Sequence, residues 1–220
     1  MPTYEEAISD PRIVSLEEVS AHPNLLVFAD SGAGKTALGG SDEKVLFICT
    51  EREGTLSAKR LGSHAVQWIV NHWDDVEDAL ETLKKWAVTK DGIPFKWVVF
   101  DSLTDGQDLL MEKILEDANL EVEGWPEYRR NQKILIRKIK EFNALPVNML
   151  WLALARKEVN PEMEEFYCPD IHGKGYQVAM RVVAQMTSYG YMECEAKEVP
   201  KKANGKPVMN NGKPVLETRF

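Results

Sequence analysis

The chain of 220 residues is long enough for one sizeable α/β domain, and its 44% apolar and 28% charged residues are ordinary for a globular protein. A formal net charge of −8 argues against a protein coated in basic charge for duplex DNA, although a local basic groove is compatible with it. The chain has no run of about 18 apolar residues and no apolar N-terminal segment, so we expect neither a transmembrane helix nor a signal peptide.

The first half of the chain alternates short apolar runs with segments of helical spacing. The predicted strands cover residues 25–28, 45–49, 66–70 and 97–101. The predicted helices cover residues 35–40, 74–86 and 105–118. Gly39 and Gly40 are expected to end the first of these helices early, because glycine destabilises a helix interior.

The second half begins with the clearest helix and ends in turn-rich sequence. In order it predicts a helix over 126–143, a strand over 147–154, a long polar loop over 155–172, a helix over 175–186 and a strand over 189–197. The pentapeptide Asn-Gly-Lys-Pro-Val then occurs twice, at 204–208 and 211–215. Because Asn-Gly favours tight turns, this region predicts an antiparallel hairpin or meander.

Strands that alternate with helices predict an α/β fold with a mainly parallel sheet, flanked by helices and followed by a C-terminal antiparallel hairpin. No shift in composition marks a domain boundary. We therefore predict one domain over residues 1–220, with an N-terminal extension over 1–22, a core over 24–186 and C-terminal strands over 187–220. Three cysteines without metal-ligand spacing favour a reducing cytoplasm.

The most informative motif follows the first predicted strand, where residues 29–36 read Ala-Asp-Ser-Gly-Ala-Gly-Lys-Thr. This is the pattern of a phosphate-binding loop, whose glycines let backbone N–H groups point at a polyphosphate. The predicted ligand is a nucleoside triphosphate with Mg²⁺. Lys35 would reach the terminal phosphates, Thr36 would ligate Mg²⁺, and a helix start near Lys35 would add positive charge. The predicted nucleotide contacts are Asp30, Ser31, Gly32, Ala33, Gly34, Lys35, Thr36 and Ala37.

Ala29 departs from the strict pattern, which has glycine at this position. The substitution is acceptable if the position needs no positive φ.

Two carboxylates follow later apolar strands. Asp101 ends the strand Trp-Val-Val-Phe and is predicted to hold Mg²⁺ opposite Thr36. Glu51 follows the strand at 45–49 and is the candidate for polarising the water that attacks the γ-phosphate, with Lys35 as the other catalytic residue. Glu53 is the competing candidate, and a solvated loop glutamate is the alternative for both.

These motifs in this order resemble those of the RecA-like ATPases. Their spacing is most similar to that of a compact phage-encoded branch, which includes single-strand-annealing recombination ATPases and proteins named as AAA-family. Residues 168–174, Cys-Pro-Asp-Ile-His-Gly-Lys, resemble the Pro-x-x-x-Gly-Lys stretch of that branch. The resemblance covers residues 24–197.

The resemblance implies a RecA-like core that hydrolyses ATP with Mg²⁺, and it implies roles for particular residues. The strand at 147–154 would lie between the strands that carry the phosphate-binding loop and Asp101. RecA has a γ-phosphate-sensing glutamine at the end of that strand, where this chain has Leu154. Candidates for a substitute sensor, or for a residue that acts on a neighbouring subunit, are Arg156, Lys157 and Lys174.

Single-stranded DNA is the partner that the resemblance implies, bound by a ring or filament in the cytoplasm of a host cell, with a single-strand-binding protein as a further candidate partner. The loop from Arg156 to His172 lies where RecA-like proteins carry DNA-binding loops, but its glutamates would repel phosphate. The basic stripe on the helix at 126–143 is a second candidate contact, although a solvated helix face is the commoner explanation of such a stripe. The stripe consists of Arg130, Lys133, Arg137 and Lys140.

Together, the motifs and the resemblance favour a Mg²⁺-dependent ATPase of phage DNA recombination or replication that binds single-stranded DNA as an oligomer. One alternative is a nucleotide-gated binding module that hydrolyses little and works through a protein partner. A small-molecule kinase is a further alternative, but kinases usually add an arginine-rich lid, and we find no such segment in the sequence.

Overall fold

The computed structural model describes residues 3, 9, 22–51, 54–173 and 175–194 in full, and the backbone of short strands between 197 and 219. The strands up to residue 194 are β1 Asn24–Ala29, β2 Val45–Cys49, β3 Val66–Ile69, β4 Trp97–Asp101, β5 Asn148–Val159, β6 Glu165–Pro169 and β7 Ser188–Tyr191. The helices are α1 Lys35–Gly39, α2 Leu56–Arg60, α3 Trp73–Ala87, α4 Leu103–Ala118, α5 Trp125–Asn143 and α6 Gln177–Val183. None of the helices in this part of the chain has the length and apolar character needed to cross a bilayer.

Seven strands form one sheet in the order β3-β2-β4-β5-β1-β7, with β6 paired to β5. All neighbours in that order are parallel, and only β6 is antiparallel to its partner. The predicted α/β class with a mainly parallel sheet is therefore confirmed. The predicted place of β5, between β1 and β4, is also what the structure shows.

The sheet is buried on both faces because helices cover each of them. On one face the strands pack against α3, α4, α5 and α6 in a large apolar cluster. At its centre Trp151 of β5 lies with Phe100 and Phe142, at ring-centroid distances of 5.2 and 5.7 Å. The smaller cluster on the other face includes Phe47 and Val99, with α1 and α2 above it.

The glycines at the end of α1 allow this close packing. A side chain on Gly39 would come within 3.0 Å of Val99, and one on Gly40 within 2.7 Å of the Cβ of Ala58 in α2. As expected from the two glycines, α1 is only five residues long.

The prediction of a long loop over 155–172 was wrong. β5 continues to Val159 and pairs antiparallel with β6, with Lys157 opposite Tyr167 and Val159 opposite Glu165. The charged residues that suggested a loop are compatible with a strand because this hairpin is largely solvated and its charges pair, as in the contact between Lys157 and Glu165. The sequence did not predict α2, and the helix that it predicted over 175–186 is longer than the observed α6.

The C-terminal region pairs in an antiparallel manner, as predicted. β8 Lys197–Pro200 pairs with β13 Leu216–Arg219, and between them lie two short ladders. These ladders join β9 Lys202–Ala203 to β10 Lys206–Pro207, and β11 Met209–Asn210 to β12 Lys213–Pro214. Each ladder flanks one of the Asn-Gly pairs. In place of the single strand predicted over 189–197, the structure has two separate strands, β7 Ser188–Tyr191 and β8 Lys197–Pro200. Apart from residues 3, 9 and 22, the predicted N-terminal extension lies outside the described residues.

Candidate nucleotide site

The carboxyl ends of β1, β2 and β4 meet at one edge of the sheet, because Cys49 pairs with Asp101 and Ala29 pairs with Leu154 at the end of the parallel ladders. Ligands bind at this edge in open parallel sheets. A cavity of about 330 Å³ opens there. Its lining residues are Ser31, Gly32, Gly34, Lys35, Thr36, Glu51, Gly54, Ser57, Asp101, Ser102, Asp105 and Leu154. Three of the predicted nucleotide contacts, Asp30, Ala33 and Ala37, belong to the same loop and helix but do not line the cavity.

The loop between β1 and α1 has the backbone that its glycines permit. Gly32 and Gly34 adopt φ angles of +80° and +99°, which L-residues with side chains rarely adopt. Ala29, by contrast, is the last residue of β1 and has no positive φ. Alanine at the first position of the motif therefore carries no backbone strain.

Lys35 is held inside this loop and is only 8% exposed. Its Nζ donates hydrogen bonds to the carbonyl oxygens of Ala29 and Asp30, each at 2.9 Å. Burial lowers the pKa of the lysine, and the nearby carboxylates of Asp101, Asp30 and Asp105 oppose that shift. The amine is thus already placed among oxygen acceptors, which the oxygens of a polyphosphate can replace. Since α1 has only five residues, phosphate binding depends more on the loop N–H groups and Lys35 than on a helix dipole.

Thr36 and Asp101 bring two oxygen ligands together from distant parts of the chain. The Thr36 hydroxyl donates to Asp101 Oδ2 at 2.6 Å. Burial raises the pKa of Asp101, while the Thr36 hydrogen bond and the charge of Lys35 oppose the rise. Hard oxygen donors of this kind fit Mg²⁺, which usually takes one or two protein ligands and completes its shell with phosphate and water. No cluster of three or more metal-ligating residues occurs within the described ranges, so the phosphates would have to supply part of the shell.

Replacing Asp101 by asparagine is expected to stabilise the protein in the absence of nucleotide and to abolish Mg²⁺-dependent ATP binding. Because the folded-state pKa of Asp101 lies above its ordinary 3.8, folding favours the protonated acid. The wild type therefore loses stability as the pH rises from about 3.8 through the folded pKa, and this part of its pH dependence is absent from Asp101→Asn. We expect the melting temperature of the variant at pH 7 to lie about 2–4 °C above that of wild type. Calorimetry of both proteins at pH 4 and 7 measures the difference. A lower melting temperature than wild type at pH 7 would contradict the burial argument.

Glu51 lies on the rim of the cavity and is exposed. Its backbone is fixed, because its carbonyl accepts hydrogen bonds from Cys49 Sγ at 2.8 Å and from the Gly54 N–H at 3.1 Å. Burial raises the pKa of the Cys49 thiol to about 11, so the thiol stays protonated and can donate. The competing Glu53 lies outside the described residues.

Asp105 and Ser57 are among the lining residues that the sequence did not predict. Asp105 accepts hydrogen bonds from the Ser102 hydroxyl and, at 3.5 Å, from Thr50. Ser102 caps α4, because its side chain accepts a hydrogen bond from the Asp105 N–H. An acidic residue three positions after a serine is a common signal of a helix N-terminus, and this spacing could have pointed to Asp105. Ser57 of α2 had no such signal, because that helix was not predicted.

Two of the candidate sensor residues, Arg156 and Lys157, lie apart from this cavity. Leu154 is the residue of β5 that lines it, and its N–H donates to Thr104 Oγ1 at 3.1 Å. Arg156 instead donates to the carbonyls of Ile171 and Gly175 and pairs with Glu158 at 3.0 Å and Asp170 at 3.5 Å.

Lys157 does not reach the cavity either. Lys157 pairs with Glu165 on the solvated hairpin. Lys174 lies outside the described residues. The structure therefore brings neither Arg156 nor Lys157 to the nucleotide cavity of its own chain.

The candidate DNA contacts lie on other surfaces. The basic stripe of α5 is exposed along its length and carries only loose ion pairs, from Arg130 to Asp117 at 3.8 Å and from Arg137 to Glu141 at 3.7 Å. The hairpin aromatics are engaged with neighbours. Tyr167 stacks on Tyr191 at 4.3 Å, and Phe166 packs edge-on against Tyr176.

Comparison with known proteins agrees with the geometry of this site. The chain resembles a solved ATPase from the type III secretion system of pathogenic bacteria, with 13% identity and a TM-score of 0.45 over 64% of this chain. It spans about half of that protein, 53% of its length. No curated protein matches the chain. The sequence model of a family described as AAA domain matches residues 21–218. With its phosphate-binding loop and parallel sheet, the chain belongs to the AAA domain family of P-loop nucleotide-binding proteins.

Proposed function

We propose that this protein is a Mg²⁺-dependent ATPase that acts on single-stranded DNA as an oligomer in phage recombination or replication. The observation that supports hydrolysis is the convergence of Lys35, Thr36, Asp101 and Glu51 on one cavity of about 330 Å³. Asp101 ends β4 and Glu51 follows β2, while Lys35 and Thr36 begin α1 after the loop that follows β1. Together they supply a cation, two oxygen ligands and a free carboxylate, which are the groups that phosphoryl transfer to water requires.

Each group has a part in the proposed reaction. The loop N–H groups and Lys35 hold and neutralise the β- and γ-phosphates. Thr36 and Asp101 would hold Mg²⁺, which when bound adds positive charge at the phosphate oxygens. Glu51 is exposed and can accept a proton from, or orient, a water molecule beside the γ-phosphate.

Action on single-stranded DNA is supported by the resemblance to the phage-encoded branch and by the exposed cations of α5. Arg130, Lys133, Arg137 and Lys140 present positive charge at solvent in a chain whose net charge is −8. Such a local stripe can bind a phosphate backbone without making the whole protein basic. Assembly into a ring or filament, a host-cell setting and contact with a single-strand-binding protein belong to the same proposal.

One observation favours a second candidate, a nucleotide-gated binding module with little hydrolysis. The cavity wall that β5 contributes is the apolar Leu154, which cannot hydrogen-bond a γ-phosphate through its side chain. A protein with this wall can bind nucleotide and yet couple hydrolysis poorly to a second ligand.

Turnover of ATP with and without single-stranded DNA tests the proposal. We expect Mg²⁺-dependent hydrolysis that rises severalfold with the strand, and no activity in Lys35→Ala, which serves as the baseline. The Tyr189→Ala variant, which removes an exposed aromatic of the edge strand β7 that lines neither the nucleotide cavity nor the basic stripe, should behave as wild type. Tight ATP binding without turnover, and without any effect of the strand, would support the binding module instead.

A further inference from the structure

A second cavity, of about 580 Å³, lies where α5 begins beside the segment that leads into α6. It shares no lining residue with the nucleotide cavity. The lining residues that matter for its chemistry are Trp125, Tyr128, Gln132, Arg156, His172 and Gly173.

The walls of this cavity are held by buried hydrogen bonds. The Gln107 side chain, 1% exposed, accepts from the His172 N–H at 2.6 Å and donates to the His172 carbonyl at 3.0 Å. It also donates to Asn131 Oδ1 at 2.9 Å, and the fully buried Asn131 donates back to the Gln107 carbonyl at 3.0 Å. A satisfied network of this kind rigidifies its surroundings. The cavity is therefore preformed, as binding sites usually are.

Gly173 lets the backbone close one side of the cavity. A Cβ at this position would lie 2.3 Å from Val178 and 3.1 Å from the Gln132 amide nitrogen. A side chain at 173 would therefore clash with the wall and occupy the space beside Gln132.

The lining suits an uncharged, flat ring rather than an anion. Trp125 is 70% exposed, although large apolar side chains are usually buried, and Tyr128 lies one turn further along α5. The Arg156 guanidinium is already engaged by backbone carbonyls and by Asp170. The Tyr128 hydroxyl donates to the Glu123 carboxylate, which also lines the cavity. The remaining polar groups are the Gln132 amide and the His172 ring, whose Nδ1 faces Asp108 at 3.3 Å. Amide and imidazole groups can hydrogen-bond the edge of a heteroaromatic ring while the indole stacks on its face.

Cations stand outside the cavity on the same helix. Arg129 follows Trp125 by four residues and Lys133 follows Arg129 by four, which places the three side chains along one side of α5. Both cations are exposed. A polymer of uncharged aromatic rings joined through phosphates fits this arrangement. A ring would lie in the cavity, and the phosphates would lie along α5 beside the cations.

We propose that this cavity binds one nucleobase of a single strand, stacked on the Trp125 indole, with the adjoining phosphates at Arg129 and Lys133. The inference rests on the proposed function, since it needs a single strand as ligand, and it adds the place where a base is held. The acidic Glu123 on the rim, which accepts a hydrogen bond from the Tyr128 hydroxyl at 3.1 Å, would instead suit a basic peptide. A peptide is therefore the competing occupant in the test.

Fluorescence anisotropy of the full chain with labelled oligothymidylate, and with an abasic strand of equal length, tests this site. We expect wild type to bind oligothymidylate about tenfold more tightly than the abasic strand, from the loss of one stacked base. Trp125→Ala should bind oligothymidylate about tenfold more weakly and lose the preference, while Trp125→Phe keeps most of it. The slope of log affinity against log salt should stay unchanged in Trp125→Ala, since the phosphate contacts remain. Tyr189→Ala is the matched surface control.

The other possible outcomes contradict the inference, and each shows which part of it is wrong. If Trp125→Ala binds oligothymidylate as tightly as wild type, or if wild type does not distinguish the abasic strand, the base site is wrong and DNA binding stands. If wild type binds no strand at low salt, both the base site and the DNA part of the proposed function fail. Binding of the peptide Lys-Trp-Lys, lost in Trp125→Ala, would then assign the cavity to a protein partner.

Discussion

Replacing Glu51 by glutamine is expected to lower ATP turnover by about 10²- to 10⁴-fold, the usual contribution of a positioned general base. Glutamine keeps the size of the side chain and removes its ability to accept a proton. The backbone of residue 51 is held by hydrogen bonds from Cys49 and Gly54 to its carbonyl, so the substitution should not disturb the fold. Mg²⁺-dependent ATP binding, measured by titration calorimetry, should stay within about threefold of wild type, a difference of under 1 kcal/mol.

The matched variant Glu53→Gln separates the two candidate glutamates. If Glu51 activates water, Glu53→Gln retains turnover close to wild type. The reverse result, with turnover lost in Glu53→Gln and kept in Glu51→Gln, would transfer the role to Glu53. Retained turnover in both single variants and in the double variant would show that neither glutamate acts as the base.

Replacing Trp151 by alanine is expected to reduce the free energy of unfolding by about 3–5 kcal/mol. Trp151 is 1% exposed in the central strand β5, packs against Phe100 and Phe142, and donates its indole N–H to Asn143 Oδ1 at 2.9 Å. The variant loses the contacts of a large ring and leaves a cavity between sheet and helices. Since whole domains are stable by about 5–15 kcal/mol, this single change removes a large share of the stability.

Urea denaturation without nucleotide measures this effect, with Val88→Ala as control. Val88 is 87% exposed, so its removal should change stability by no more than about 0.5 kcal/mol. Trp151→Phe keeps part of the ring and should lose less than Trp151→Ala. A loss below about 1 kcal/mol in Trp151→Ala would mean that the aromatic cluster is not the centre of the core.

The central strands could be predicted because parallel strands buried on both faces form uninterrupted apolar runs. Val45–Cys49 and Trp97–Asp101 are such runs, and the structure gives them the predicted bounds. The hairpin of β5 and β6 could not be predicted in this way. One face of the hairpin, which carries Lys157 and Glu165, meets solvent, so its residues are polar rather than apolar. The pairing of Lys157 with Glu165 becomes visible only when the two strands lie side by side.

The sequence by itself determined the class of fold and the phosphate-binding loop, because both depend on residues that are close together along the chain. A run of apolar residues, two glycines with positive φ, a lysine and a threonine suffice for that loop. Tertiary structure alone decided what surrounds it. Asp105 and Ser57 reach the nucleotide cavity from α4 and α2, and the second cavity is assembled from α5 and the segment before α6. The physical reason is that sheet order and buried hydrogen bonds, such as those from Gln107 to residue 172, join segments far apart in the chain.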